Sequence, residues 1–200
     1  MLIRWQRGGG ASRLEGLQVG KQEVNAQSIG KVNGGIDPDL YTALASIYDE
    51  IMWLSGRPNV TASRARAWYT HVMAESVKRR VRQFSGKVSQ AAILARGSHL
   101  RLEHFKRIQI TLTELVKRHH KERSHDVGEF VRTLLHCEAV HIVTIEENYA
   151  AMRAKGDYAK AGIVLVSWHD VPIDRREDLW GSMLRGKVAN ADDFRDEPRI

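Results

Sequence analysis

The chain is poor in cysteine and proline and has no long apolar run. Its single cysteine, Cys137, cannot form an intramolecular disulfide, which excludes the disulfide framework of small secreted proteins. No segment approaches the about 20 apolar residues that a membrane-spanning helix needs. Arginines also interrupt the first ten residues, where a secretion signal would be apolar. We therefore expect a cytoplasmic protein with no membrane partner.

The glycines divide the chain into an arm and a folded part. Eight of the sixteen glycines lie within residues 1–36, where no hydrophobic periodicity is sustained. We expect residues 1–36 to form a flexible arm, with one short strand at most, at Leu2–Gln6. Residues 37–190 are enough for a single domain and short for two, and residues 191–200 are predicted to form a polar C-terminal tail.

Positive charge is concentrated in the middle of the chain. The whole chain carries a net charge of +7, but residues 57–123 contain sixteen Lys and Arg against four Asp and Glu, a net charge of +12. A field of one sign and this size attracts polyanions, so we expect DNA or RNA as the partner. A solvated basic face, an acidic protein partner and a homo-oligomer are alternatives that the composition leaves open.

Hydrophobic periodicity predicts an α+β fold with five or six helices around a small sheet. One helix begins at the Asp37-Pro38 cap and runs to about Leu54, and a second spans about Ser63 to Phe84. Further helices are expected at about 111–120, 126–137, 144–155 and 174–184, the third of these opened by a capping box. Strands are expected at 100–104, 139–144 and 163–168; the last is apolar on both faces and is therefore predicted to be central.

Basic side chains on the second predicted helix share one face. At 100° per residue, four of them fall within about 40° of one another and would form a ridge roughly 27 Å long: Arg64, His71, Lys78 and Arg82. Four further cations lie beside this ridge or around the first predicted strand: Arg79, Arg101, Lys106 and Arg107. We expect these eight residues to contact the phosphates of nucleic acid.

Histidines cluster in and beside the basic segment. Seven of the nine fall within residues 99–141. Imidazole binds divalent metals and accepts protons near neutral pH, which a metal-assisted phosphodiesterase needs. Glu103 and His104 end a predicted strand, so we expect Glu103 to be a metal ligand and His104 the general base. His141 on the next strand is a second expected metal ligand, and Asn148 would orient the base or a water.

The acidic residue and histidine, the later histidine and the asparagine resemble the arrangement in HNH nucleases, the ββα-metal class. The resemblance covers about fifty residues, Leu100 to Asn148, and implies one divalent ion among these side chains, which we expect to be Mg²⁺ or Zn²⁺. The chain departs from that class because over thirty residues separate the two histidines and no cysteine pairs clamp the fold. The alternative is that Glu103 pairs with Arg101 or Lys106 and that His104 is structural.

These patterns predict a nucleic-acid-binding protein that acts as a metal-dependent endonuclease. The alternative is a non-enzymatic DNA- or RNA-binding regulator, or an inhibitor from a mobile element, that uses the basic surface of residues 57–123 without chemistry. The sequence contains no helix-turn-helix, zinc-finger or RNA-recognition signature, so it does not predict readout of specific bases.

Overall fold

The computed structural model describes residues 36–73, 75–95 and 99–196. The predicted N-terminal arm, with its short strand at Leu2–Gln6, lies outside the described residues. The described part forms a single α+β domain of eight α-helices and one sheet, which confirms the predicted fold class. The sheet has four strands where three were expected. None of the helices in the described part is long and apolar enough to cross a membrane.

The helices and strands alternate irregularly along the chain. The helices are α1 (Pro38–Ser55), α2 (Ala62–Val72), α3 (Glu75–Val81), α4 (Gln90–Leu94), α5 (Ile108–Glu122), α6 (Val127–Cys137), α7 (Ile145–Arg153) and α8 (Ile173–Leu179). The strands are β1 (Gln83–Ser89), β2 (Leu100–His104), β3 (Ala139–Thr144) and β4 (Leu165–Ser167). A π-helical turn at Trp180–Leu184 extends α8, and short 3₁₀ turns lie at Trp168–Asp170 and Ala191–Phe194.

A helical layer contains the first of two hydrophobic cores. α1 begins as predicted, because the Asp37 side chain accepts a hydrogen bond from Asp39 N and Pro38 occupies the first turn. Helices α1, α2, α3, α5 and α6 bury their apolar faces against one another; the fully buried members of this core include Leu44, Tyr48, Ile51, Val81, Leu112, Val116, Phe130 and Leu134. Each large apolar side chain buried there contributes about 1.5–3 kcal/mol.

The sheet has the strand order β2-β3-β1-β4 and carries the second core on one face. β3 pairs antiparallel with β2 and parallel with β1, while β1 pairs antiparallel with β4. Phe84, Val140 and Ile142 face the C-terminal segment, where they pack with Trp168 and Leu184. Because side chains alternate between the faces of a strand, the residues between these positions point to the other face, which is polar.

The second predicted helix is shorter than expected. α2 ends at Val72, and Met73 continues the chain with an extended backbone (φ −68°, ψ 105°) while it buries its side chain in the helical core. Phe84 belongs to β1, a strand that the sequence did not predict. The position of Phe84 continues the helical spacing of apolar residues, but the Phe84 ring packs edge-to-face on Trp168 in the second core. Periodicity alone therefore predicts a helix that is too long.

The apolar segment at 163–168 is not a central strand, as the sequence predicted. β4 has only three residues, all half-buried, and lies at the edge of the sheet beside β1. The flanking residues Ile163 and Trp168 are buried instead, 6% and 2% exposed. The apolar character of this segment thus comes from packing at its two ends.

The described part of the predicted C-terminal tail belongs to the second core. Ala191 is buried, and the ring of Phe194 lies 4.7 Å from that of Phe84 and 6.0 Å from that of Trp168, measured between ring centroids. Trp180 also donates a hydrogen bond from Nε1 to the Ala191 carbonyl at 2.9 Å. The domain therefore extends beyond residue 190.

Candidate active site

The pairing of β2 with β3 brings two of the predicted site residues together. In this antiparallel ladder Glu103 lies directly opposite His141, and His104 lies opposite Val140. Directly opposed side chains share a face of the sheet with Cβ atoms about 5 Å apart. Glu103 and His141 therefore lie next to each other on the polar face.

Helix α7 covers these two strands and positions Asn148. The capping box that the sequence predicted is present: Thr144 Oγ1 accepts from Glu147 N, and the Glu147 carboxylate accepts from Thr144 N. α7 packs against β2 and β3. Its half-buried Asn148 lies three residues before the buried Ala151, which places both on the inner side of the helix. Within the described part of the chain, the Asn148 amide has no hydrogen bond.

His141 is almost fully buried, and only one of its two ring nitrogens is hydrogen-bonded among the described residues. The residue is 5% exposed, its Nδ1 is hydrogen-bonded to Ser85 Oγ, and its Nε2 is buried without a hydrogen-bond partner among the described residues. Burial, with a smaller effect of the Lys87 ammonium, lowers the pKa of His141 to about 4. The ring is therefore neutral near pH 7, with one nitrogen held by Ser85.

Ser85 lies beside His141 because β1 pairs in parallel with β3. Phe84 pairs with Val140, so the next residues along the two strands, Ser85 and His141, are neighbours. The register of β1 against β3 shifts between Phe84 and Val88. Within this irregular segment Gly86 has φ +73°, and a Cβ there would lie 3.3 Å from the Phe194 ring. A bulge of this kind redirects the neighbouring side chains, and glycine is the residue that adopts positive φ without strain.

Two aromatic rings close the site around His141. The Phe105 and Tyr158 rings contact the His141 ring edge-to-face, with centroids 5.3 and 5.7 Å away. The Tyr158 hydroxyl is buried without a hydrogen-bond partner among the described residues. Burial, and then the carboxylates of Glu103 and Glu147, raise the pKa of Tyr158. Two unsatisfied polar atoms thus lie in one small cluster, which is uncommon in a purely structural core.

Glu103 lies in a partly water-excluded environment. Burial raises its pKa, while the Arg107 guanidinium acts in the opposite direction. Arg107 is itself half-buried and donates hydrogen bonds to the carbonyls of Ala151 and Met152 at the end of α7. Arg107 therefore both ties α7 to the site and supplies positive charge beside Glu103.

His104 is held apart from its neighbour Glu103. Its Nε2 lies 3.0 Å from Glu138 Oε2, and Glu138, which is 4% exposed, accepts a second hydrogen bond from the Tyr69 hydroxyl at 2.7 Å. Burial lowers the pKa of His104, although the Glu138 carboxylate acts in the opposite direction. The structure thus brings together Glu103, His141 and the inner side of α7, and fixes His104 against Glu138.

The predicted nucleic-acid contacts divide between exposed and half-buried side chains. The straight ridge from Arg64 to Arg82 does not form, because α2 and α3 are separate helices and Arg82 follows α3. Five of the eight predicted contacts are exposed: Arg64, His71, Arg79, Arg101 and Lys106. Three are half-buried: Lys78, Arg82 and Arg107.

Three of the other clustered histidines contact polar side chains of the helical layer. His119 is fully buried and is bonded to Tyr48 and Glu129, His125 is paired with Asp49, and His120 lies 3.5 Å from Ser55 Oγ. Among the described residues, no group of three or more Asp, Glu, His or Cys side chains is arranged to hold a metal ion. Any ion at Glu103 and His141 would therefore depend on further ligands of another kind.

Two side chains that contact His141 were not predicted from the sequence: Ser85 and Tyr158. Ser85 lies in the unpredicted strand β1, and Tyr158 lies in the turn that follows α7. Only the Gly86 neighbour of Ser85 offers a sequence signal, since an isolated glycine between strand-forming residues is typical of a bulge. Comparison of the chain with protein-family models, with curated proteins and with solved structures finds no match.

Proposed function

We propose that the protein binds nucleic acid through its basic surface and hydrolyses phosphodiester bonds at the Glu103–His141 site with a divalent metal ion. The observation that carries the hydrolysis is the position of Glu103 directly opposite His141, whose Nε2 has no partner among the described residues. The antiparallel strands β2 and β3 and the helix α7 that packs on both resemble in space the ββα arrangement that the HNH class implies, although α5 and α6 lie between the two strands in the chain.

The side chains present fit a divalent cation. A buried imidazole nitrogen without a hydrogen bond is a poor structural feature but a good ligand, and metal-binding histidines commonly use the other nitrogen for a hydrogen bond, as His141 does with Ser85. Glu103 adds a carboxylate and Asn148 an amide oxygen. Two or three protein ligands completed by water and phosphate oxygens are common in Mg²⁺ sites. When bound, such an ion supplies Lewis-acid polarisation of a phosphoryl oxygen.

His104 is oriented for proton transfer by Glu138. The ionised Glu138 carboxylate can only accept hydrogen bonds, and it already accepts one from the Tyr69 hydroxyl. His104 Nε2 is therefore the donor in the hydrogen bond between His104 and Glu138. The lone pair of the neutral ring then lies on Nδ1, which is the tautomer a general base needs. Glu103 and His104 are successive residues at the end of β2, so their side chains start on opposite faces of the sheet. A phosphate must therefore lie around this strand end to contact both side chains.

The exposed cations supply the binding surface. Arg64 and His71 project from α2, Arg79 from α3, and Lys106 from the turn before α5. Phosphate contacts of this kind position a nucleic acid without reading its sequence. Affinity is then expected to fall steeply with salt, since each neutralised phosphate releases condensed counterions.

The hydrolysis is tested by incubating the purified chain with plasmid and single-stranded DNA or RNA in Mg²⁺, Mn²⁺ or Zn²⁺. Glu103→Gln should abolish cleavage and keep binding, because the amide preserves shape but not charge, and His104→Ala should lower the rate by roughly 10²- to 10⁴-fold. Glu146→Gln is the matched control, since this carboxylate lies on the exposed side of α7 and should leave cleavage unchanged. If no metal supports cleavage that depends on Glu103, the hydrolytic part of the proposal is wrong and only binding remains.

Binding is tested separately by the salt dependence of affinity. The structure favours Arg64→Glu and Arg79→Glu for this test over reversal of Lys78 and Arg82, because exposed side chains tolerate charge reversal better than half-buried ones. The double variant should weaken binding to unrelated sequences alike and reduce the salt slope by about two. An affinity that does not change between low and high salt would remove nucleic acid as the partner.

A further inference from the structure

A cleft in the C-terminal segment lies outside the Glu103–His141 site. Its volume is about 430 Å³, which falls in the range of small-molecule sites. The lining comes entirely from the segment after α8: Trp180, Arg185, Gly186, Val188, Ala189, Ala191, Asp192 and Arg195. None of these residues belongs to the basic segment 57–123 or to the proposed nuclease site.

One indole ring contacts two guanidinium groups at this cleft. Trp180 is anchored by the hydrogen bond from its Nε1 to the Ala191 carbonyl. The guanidinium carbon of Arg195 lies 5.0 Å from the centroid of its ring system, and that of Arg185 lies 5.9 Å away. Stacking on an aromatic face orders an arginine and leaves the N–H edge of its guanidinium group open for a bidentate acceptor.

Neither arginine is neutralised within the described part of the chain. The ion pairs of the C-terminal segment involve Arg175 and Arg176, not Arg185 or Arg195. The one carboxylate in the lining, Asp192, forms no ion pair with either arginine. Two ordered guanidinium groups against one carboxylate leave the cleft positive, in a part of the chain that is otherwise acidic.

The backbone keeps the cleft open between the two arginines. Gly186 follows Arg185 directly and has φ +66°, a conformation that side-chain-bearing residues rarely adopt. A Cβ at this position would meet no atom within 4 Å, so the glycine is required by the turn and borders open space. The turn after Leu184 thus directs Arg185 over Trp180 without filling the cleft.

We propose that this cleft binds a phosphate group through Arg185 and Arg195. Guanidinium groups match the geometry of phosphate oxygens and bind them bidentately, and the pair is already held in place by Trp180. The phosphate belongs either to a free nucleotide or to the end of a nucleic acid strand, since both present the same group. The site is independent of hydrolysis at Glu103 and adds a binding function to the acidic C-terminal third.

The experiment measures binding of four probes to the full chain by calorimetry and tryptophan fluorescence. Pyrophosphate, adenosine 5′-monophosphate and a 5′-phosphorylated ten-nucleotide oligomer are compared with adenosine, which lacks the phosphate. The phosphorylated probes should bind saturably and adenosine should not, and Trp180→Phe should remove the fluorescence change. Binding of the mononucleotide identifies a free nucleotide as the ligand. Binding of only the phosphorylated oligomer identifies a strand end when it is measured in the Arg64→Glu, Arg79→Glu variant, in which the basic surface is weakened.

Three variants decide whether the two arginines are responsible. Arg185→Gln with Arg195→Gln should weaken pyrophosphate binding at least about tenfold, because two charge-assisted contacts are lost. Asp192→Asn should strengthen it, since it removes the one negative charge in the lining. Arg153→Gln, at an exposed cation of α7 outside the cleft, is the matched control and should have no effect.

The proposal is overturned by any of three results. These are no saturable binding of a phosphorylated probe below about 1 mM, equal binding of adenosine and its monophosphate, or unchanged affinity in the double arginine variant with an unchanged melting temperature. Arg64→Glu with Arg79→Glu should leave pyrophosphate affinity intact, and Glu103→Gln likewise. The failure of this site is therefore distinguishable from failure of the proposed nuclease.

Discussion

A buried hydrogen-bonded chain from Tyr48 through His119 to Glu129 offers the most direct test of how the helical core is held together. His119 and Tyr48 are both fully buried; Nδ1 of His119 lies 2.6 Å from the Tyr48 hydroxyl, and Nε2 lies 2.8 Å from Glu129 Oε2. In the neutral ring, Nε2–H donates to the Glu129 carboxylate, so Nδ1 accepts the hydrogen bond from the Tyr48 hydroxyl. Replacement by His119→Leu removes both contacts but keeps a side chain of similar bulk.

The cost of this replacement comes mainly from the Tyr48 hydroxyl. Its proton loses its acceptor inside the core, and a buried donor without a partner costs about 1–3 kcal/mol. The backbone N–H of Asp126 donates to the phenol oxygen and therefore cannot replace the lost acceptor of the hydroxyl proton. Glu129 retains its ion pair with Arg118 and contacts solvent, so the loss of its hydrogen bond to His119 adds little to the destabilisation. We expect the free energy of unfolding to fall by about 2 kcal/mol.

A double-mutant cycle measures this coupling by urea unfolding at neutral pH. Tyr48→Phe together with His119→Leu removes both partners at once, and such paired replacement by apolar groups is close to neutral. The double variant should therefore be more stable than His119→Leu alone. A double variant whose loss equals the sum of the two single losses would refute the argument, as would a fully stable His119→Leu protein.

Three further predictions concern other parts of the fold. Burial lowers the pKa of His141 from 6.5 to about 4, so as the pH falls the unfolded chain binds a proton at this histidine before the folded chain does. The free energy of unfolding should therefore decrease between pH 6.5 and 4 by up to about 3 kcal/mol, and His141→Asn should reduce this dependence on pH in unfolding measurements. Arg175 donates hydrogen bonds to the carbonyls of Ile93, Ala92 and Ala95, so Arg175→Lys should lower the free energy of unfolding by about 1–3 kcal/mol and speed amide hydrogen exchange in α4. Unchanged exchange would show that these hydrogen bonds do not hold α4. Gly86→Ala should destabilise the fold by at least about 1 kcal/mol in thermal unfolding, because it places a Cβ at positive φ against Phe194; a neutral effect would show that β1 relaxes there.

Local signals predicted the starts of several elements correctly. The Asp37-Pro38 cap of α1 and the capping box of α7 at Thr144 each satisfy backbone N–H groups within a few residues, so nothing distant in the chain is needed to form them. β2 and β3 form at the expected residues, and each places one face against the second core. Such features can be predicted from sequence since their causes lie within one or two turns or along one strand.

β1 could not be predicted in the same way. Its segment Gln83–Ser89 has only two large apolar residues, Phe84 and Val88, and it becomes a strand because β3 and β4 lie on its two sides. Its parallel partner β3 is more than fifty residues away in the chain, and the pairing depends on the helices between them. The predicted ridge was wrong because the helix ends at Val72 and a second helix, α3, follows it before the chain enters the sheet at Gln83.

The candidate site shows the same division between local and distant causes. Glu103 and His141 were predicted together because two alternating strands that pair bring opposed residues to one face. Ser85 contacts the same histidine through the pairing of the unpredicted strand β1 with β3, and Tyr158 contacts it through the turn that returns from α7 to the sheet. Sequence spacing can therefore propose the acidic and imidazole ligands of such a site. The hydroxyl that orients the imidazole and the rings that exclude water from it depend on how three separate segments meet. Ser85 and Tyr158 are therefore the positions where the proposed chemistry depends most on the fold.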